Sequence, residues 1–226
     1  MGLGMNCFKI VMAFQSTLAR ENRERMPEPQ FLTLENIERD CWDLLLQGSL
    51  KGRDGFHTFA LGTRKGEDVD MRTLVLRKVE KSERRIFTHT DARSPKVDQI
   101  ESGASAGLLF YDPVRKIQIR IKARAFMHRE DHIAISMWDE TRLSARKSYL
   151  SLKSPGHLLG QGEDGLPEHL KGRDPDMEES LAGLPNFLVL GFEVIRMDWL
   201  YLHSQGHRRA VFEYNEAGYD AFWINP

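Results

Sequence analysis

Behind Thr33, a residue suited to cap a helix, the apolar positions Leu34, Ile37, Cys41, Leu44 and Leu45 recur at helical spacing, and Gly48 offers a stop. The period then changes. Phe56–Thr63, Met71–Val79 and Arg85–His89 are rich in Val, Ile, Phe and Thr and read as strands, separated by the turn clusters Arg64–Asp68 and Glu80–Glu83. A short helix is expected over Pro95–Ser102, then strands Gly107–Tyr111 and Ile117–Met127 joined through Asp112-Pro113. In the second of these, Ile117, Ile119, Ile121, Ala123 and Ala125 share one face, and Gln118, Arg120, Lys122 and Arg124 share the other. His128–Asp131 reads as a hairpin turn into a strand at Ile133–Met137, and Trp138–Leu150 as a helix. After a long excursion, Ser151–Pro185, come strands at Phe187–Ile195, Trp199–His203 and Arg209–Tyr214 and a terminal Tyr219–Ile224. Many sequential strands with few helices predict a mainly β, antiparallel barrel or sandwich rather than a doubly wound sheet.

With no internal repeat and no second core, one domain is expected from about residue 31 to 226, behind a flexible extension over residues 1–30 that ends in Pro27 and Pro29. Within that extension the apolar run Phe8–Phe14 lacks a basic start and a small-residue cleavage site, which argues against a targeting peptide. The 226 residues are 41% hydrophobic and 29% charged, a globular composition that excludes disorder throughout. The longest apolar runs, such as Phe187–Val194, fall far short of the ~20 residues a membrane helix needs. Two cysteines, Cys7 and Cys41, are too few for a disulfide framework, so a cytoplasmic protein is expected.

Charge sharpens this picture only when it is placed along the chain. The totals nearly cancel, 32 Lys+Arg against 33 Asp+Glu, which argues against a polyelectrolyte partner. Arg72–Arg129, however, holds fourteen Lys/Arg and six Asp/Glu, and His157–Ser180 holds seven acids and two bases. The basic middle predicts an anionic ligand, and the acidic segment a solvated loop. Familiar motifs are missing: Gly2-Leu-Gly4 lacks a third glycine, and there is no phosphate loop and no Gly-x-Ser-x-Gly elbow. His128 and His132 have a metal-ligand spacing only on a helix, and across a hairpin turn they would diverge, so no metal site is expected. Cys41 lies on an apolar helix face, where packing is the expected role.

The informative constellation is distributed. Arg72-Thr73-Leu74-Val75-Leu76-Arg77 is a strand with a cation at either end. Phe87–Lys96 follows, dense in hydroxyls and cations, with His89, Thr90, Arg93, Ser94 and Lys96 leading into a helix. Cations and hydroxyls are the groups that hold a phosphate ester. Gln118 stands on the polar face of its strand.

This order and spacing resemble the core motifs of the pyridoxamine 5'-phosphate oxidase family of FMN-binding split barrels, and more closely its oxidase-related branch. Leu108-Leu109-Phe110, Asp198-Trp199-Leu200 and the terminal Trp223-Ile224-Asn225-Pro226 extend the resemblance from about Leu34 to the C-terminus. It implies a six-stranded antiparallel barrel with a few peripheral helices, working as a homodimer with FMN between subunits. It also implies FMN-phosphate contacts from Arg72, Lys96, Thr90 and Ser94, flavin-ring contacts from Gln118 and from Arg209 of a second copy, and a substrate-side His207. Departures accompany the match. The family's Ser-Arg-Lys is Ser94-Pro95-Lys96 here, with Arg93 as a substitute cation. Its Gln-Ser pair falls at Pro155-Gly156, and its flavin-side Trp falls at Leu200 or, one position off, at Trp199, although as aromatics Trp199 and Trp223 fit a core or dimer-interface role better than flavin stacking. The positions that contact substrate become Arg77, Trp138, Arg142 and Arg146, with Gln205 in place of a further arginine. Two of these, Arg142 and Arg146, fit a solvated helix face as well as an anion site.

The resemblance therefore implies an FMN flavoprotein, an oxidoreductase acting on an anionic small molecule other than pyridoxamine phosphate. A non-catalytic flavin-storage protein and a nicotinamide-dependent flavin reductase remain as alternatives. Nucleic acid is disfavoured because the basic block lacks interleaved exposed aromatics.

Overall fold

The computed structural model describes residues 33–101 and 105–226. Cys7, the Phe8–Phe14 run and the expected extension over 1–30 lie outside the described residues. Helix α1, Leu34–Leu50, buries Ile37, Cys41, Trp42, Leu45 and Gly48 along one stripe. It runs two residues past Gly48. That glycine serves a close approach instead, since a Cβ there would lie 2.6 Å from the carbonyl oxygen of Phe56. The Trp42 indole donates to Glu38 (2.8 Å) and to the Tyr214 hydroxyl (2.9 Å), tying the helix to the far end of the sheet.

Nine strands form one antiparallel sheet: β1 (Thr58–Lys65), β2 (Asp68–Val75), β3 (Lys78–Glu80), β4 (Arg85–Asp91), β5 (Ser105–Asp112), β6 (Ile117–His128), β7 (Phe187–Tyr201), β8 (Arg208–Asn215) and β9 (Gly218–Ile224). Their order is β2-β1-β5-β6-β7-β4-β3, with β8 and β9 continuing from β7. Among the described residues the count is nine rather than six, and the sheet does not close. Near its ends, Thr88 Oγ1 donates to the Val75 carbonyl (2.7 Å) and Arg77 N to the Phe87 carbonyl (2.9 Å).

The split lies along β7. Its first half, Phe187–Glu193, pairs with β4, and its second half, Arg196–Tyr201, pairs with β8. On its other edge β6 follows both halves, with a register shift at Lys122/Ala123. The break expected between Ile195 and Trp199 is therefore absent. The expected Met71–Val79 strand does break, because Leu76 N turns to the His57 carbonyl and Arg77 N to that of Phe87. The Phe56, Phe59, Phe110 and Phe192 rings fill the interior at centroid distances of 5.0–6.2 Å.

Ile133–Met137 is helical, not a strand. It belongs to α3 (His132–Glu140), after α2 (Pro95–Glu101). The Asp131 carboxylate caps α3 by accepting from Ala134 N at 2.9 Å, and an apolar run this short carries no decisive period. The expected Trp138–Leu150 helix breaks at Thr141 into α4 (Leu143–Arg146) and a 3₁₀ turn, Lys147–Leu150. Within the acidic excursion, α5 (Met177–Leu181) starts on a reciprocal Asp176/Glu179 capping box, and Leu170 and Ser180 are buried anchors. Among the described residues no helix is long and apolar enough to cross a membrane.

Candidate functional site

The register of β1 and β2 sets Arg72 opposite Leu61, and that row continues through Leu108, Ile121 and Met197, all buried. Arg72 thus sits on the interior face of an edge strand. Its guanidinium donates to Thr63 Oγ1, to Gln99 Oε1 (3.0 Å) and to the Asp70 carbonyl (3.2 Å), and lies 2.8 Å from the Asp70 carboxylate. Across from it, Lys96 Nζ donates to Thr90 Oγ1 (2.9 Å) and Ser94 Oγ (2.6 Å), which leaves one N–H. Burial and then the nearby Arg72 charge push the Lys96 ammonium pKa down, while Asp91 and Asp70 push it up. Pro95 opens α2, where its missing N–H costs nothing, so Lys96 keeps its place without the family's arginine. Two cations and three hydroxyls converge here. Such a donor set fits a phosphate ester.

A second group lies on the opposite face. Gln118 alternates with the buried Ile117 and Ile119, so it points away from the interior. In register it stands beside Leu200 on β7, which stands beside Arg209 on β8. Asp198 accepts from Arg209 Nε and Nη2 (3.0 and 2.9 Å) and from Arg120 (2.7 Å). Burial alone would raise the Asp198 pKa, but these bonds and charges hold it below the usual carboxylate range.

Residues 39–129 match the family described as pyridoxamine 5'-phosphate oxidase, FMN-binding domain. The matched stretch, 91 of the 226 residues, resembles the FMN-binding domain of that family. Its cofactor is FMN, and the Arg72/Lys96 cluster lies within the matched residues. The structure resembles a pyridoxamine 5'-phosphate oxidase-related FMN-binding protein from Nostoc punctiforme, with TM-score 0.67, 23% identity, and 83% of this chain and 96% of that one covered. It also resembles PhzG from Burkholderia lata, solved in complex with tetrahydrophenazine-1-carboxylic acid, with TM-score 0.64, 18% identity, and 89% and 97% covered. At these identities the likenesses establish the fold, a split barrel. No curated protein matches the chain.

The remaining expectations divide. Thr73 and Val75 alternate with Arg72 and Leu74, so their side chains leave the interior face. Arg93 is not a free substitute cation. Its Nε and Nη2 grip the Asp91 carboxylate at 3.0 and 2.7 Å. Trp199 is 1% exposed and shares its row with Ile119 and Ala210, so it is a core residue; Leu200 is the neighbour of Gln118 and Arg209. His89 alternates with Thr90 and so leaves the Lys96 cluster. Both its ring nitrogens are buried without a hydrogen-bond partner among the described residues, and burial together with the Arg77 charge lowers its pKa to about 3. Pro155 and Gly156 line a small cavity of about 180 Å³ beside Asp91.

His89 instead lines a cavity of about 500 Å³ with Arg77, Arg142, Lys78, His57 and Glu140. Among the described residues neither the Arg77 nor the Arg142 guanidinium has a hydrogen bond or ion pair, whereas Lys78 is 2.7 Å from Glu80. His57 donates through Nδ1 to the Gly48 carbonyl (2.8 Å), so Nε2 is the ring nitrogen left for a ligand. Trp138 and Arg146, expected at the substrate, do not reach this space. Trp138 is buried against Tyr149 and Phe187. Arg146 is 2% exposed and donates to the carbonyls of Trp138 (2.8 Å), Thr141 (2.9 Å) and Asp139 (3.2 Å) and to Ser180 Oγ (3.1 Å). His207 and Gln205 stand exposed on the β7–β8 turn.

Sequence reasoning missed Thr63, Asp70, Asp198 and His57. Thr63 and Asp70 are register partners in the β1–β2 hairpin, so working out that hairpin's register would have found both. His57 carries no local signal, because it reaches the cavity through the end of α1.

Proposed function

We propose that this protein is an FMN-dependent oxidoreductase that acts on an anionic small molecule. The observation that carries this reading is the 500 Å³ cavity in which Arg77 and Arg142 present two guanidiniums without partners among the described residues. Both arginines are exposed at the cavity, and two like charges facing one space attract an anionic ligand. Arg77 follows β2 by two residues and Arg72 lies within it, so one segment serves both the cofactor phosphate and the cavity.

When bound, FMN supplies a two-electron acceptor, and the chain binds and orients. Arg72, Lys96, Thr90 and Ser94 hold the phosphate. Arg77 and Arg142 anchor the substrate's acid group. Because Gln118 and Arg209 lie on the opposite sheet face from Arg72, one bound FMN meets both groups only if a second copy supplies one of them. That geometry supports a homodimer with FMN between subunits.

The test is anaerobic mixing of the FMN-loaded protein with pyridoxamine 5'-phosphate, with other phosphate- and carboxylate-bearing amines and alcohols, and with reduced nicotinamides, while following loss of flavin absorbance. Bleaching by an anionic donor that disappears in R77A/R142A supports the reading. Bleaching by nicotinamide alone makes the protein a flavin reductase, and no bleaching by any donor makes it a flavin carrier.

A further inference from the structure

The phosphate cluster contains an acid that works against its purpose. Asp91 ends β4 one residue after Thr90, and its carboxylate, 9% exposed, is close enough to Lys96 to favour the charged ammonium. It would equally disfavour a phosphate dianion held at that ammonium. Arg93 closes on this carboxylate completely. Its backbone N donates to Oδ1 at 2.8 Å, its Nε to the same oxygen at 3.0 Å, and its Nη2 to Oδ2 at 2.7 Å. The remaining Nη1 donates to the Ser151 carbonyl at 2.9 Å. Asp70, the other acid of the cluster, is spanned in a similar way by Arg72 and Gln99 Nε2.

We propose that Arg93 is a charge-masking, positioning residue of the FMN site: it does not touch the phosphate but neutralises Asp91 and keeps the cluster positive. With Arg72, Lys96 and Arg93 set against Asp70 and Asp91, the group carries one net positive charge. Removing Arg93 brings it to zero, and removing the Asp91 charge brings it to two. A dianionic ester senses this difference. A neutral ligand does not. The inference rests on the phosphate lying at Arg72 and Lys96.

A purely mechanical role, in which Arg93 only latches the Ser94 loop to Ser151, makes opposite predictions. Removing either partner would then weaken binding, and removing both would be no better. The experiment measures flavin affinity by fluorescence quenching for the full chain and for R93A, D91N, D91N/R93A and K96A, each checked by thermal melting. Two ligands are used: FMN, and riboflavin, which lacks the phosphate.

Masking predicts that R93A weakens FMN roughly tenfold, the effect of one uncompensated charge beside an anion. D91N binds FMN at least as tightly as the parent, and D91N/R93A returns to within about threefold of it. Riboflavin affinity changes by less than about threefold throughout, since no phosphate is present to feel the charge. Should R93A be too unstable to assay, D91N alone still decides, because the latch role requires it to weaken FMN. A double variant as weak as R93A, or a D91N chain that binds FMN less well, overturns the inference. K96A separates the two layers. FMN affinity unchanged in K96A removes the site reading and this inference together, whereas FMN lost in K96A without recovery in the double variant removes the inference alone.

Discussion

Replacing Arg146 with alanine distinguishes a scaffold cation from a substrate cation. The side chain lies over the Trp138 ring, 4.7 Å from its centroid, and its donors satisfy three carbonyls near the end of α3 and the Ser180 hydroxyl of α5. Carbonyls at a helix C-terminus lack intrahelical partners and favour a positive charge, which explains how a guanidinium is buried here without a carboxylate. Each hydrogen bond to a charged group is worth ~1.5–3 kcal/mol, and such values do not add within one network. Loss of the group with its stacking and packing is therefore expected to cost ~3–5 kcal/mol, which for a chain of this size lowers Tm by roughly 6–20 °C. The assay is thermal unfolding followed by circular dichroism, with and without saturating FMN. Lysine at this position keeps the charge but cannot span the four acceptors, so R146K is expected to recover less than half of the loss. FMN affinity of the folded R146A chain should stay within about threefold of the parent, because the guanidinium does not reach the phosphate cluster. A Tm within about 2 °C of the parent would refute the scaffold role.

Two further outcomes follow from burial and close packing. His89 has a folded pKa of about 3 against an ordinary 6.5, so the unfolded chain binds the extra proton between those values. Its contribution to stability is present in full above about pH 6.5 and declines as the pH falls toward 3. Denaturant melts at pH 7 and pH 5 should show H89F losing less stability on acidification than the parent, and equal losses would contradict the buried neutral ring. At Gly191 an added Cβ would meet the Phe126 ring at 2.2–2.3 Å. G191A should cost ~1–3 kcal/mol by overpacking, with partial recovery in G191A/F126L. An unperturbed melting curve for G191A would show that the β6–β7 contact is looser than drawn.

Alternation made β6 legible, because its isoleucines and cations take opposite faces without help from any neighbour. Thr90, Ser94 and Lys96 stood out as hydroxyls and a cation crowded into one short segment, and Lys96 Nζ joins them. Trp199 was legible as a packing aromatic by its bulk, and its pairing with Ile119 on β6 places it in the interior. The spacing of Arg142 and Arg146 suggested one shared helix face, yet Arg142 is the residue before α4 begins and Arg146 is the last residue within it. One guanidinium therefore reaches the cavity while the other turns into the scaffold. Ile133–Met137 failed for want of length, since five residues, four of them apolar, fit either period and the Asp131 cap decided between them. Arg93 reads as a spare cation until its partner two residues earlier is seen to hold it.

The placement of Arg72 and Gln118 on opposite faces of one sheet has a genetic consequence. On the two-copy reading, each FMN draws on one copy's Lys96 side and the other copy's Arg209 side. A chain defective at Lys96 and a chain defective at Arg209 are then each inactive alone, but a mixed pair of them contains one doubly damaged pocket and one undamaged pocket. Two null alleles of this kind would complement each other within a single assembly, to at most half of the parental cofactor load.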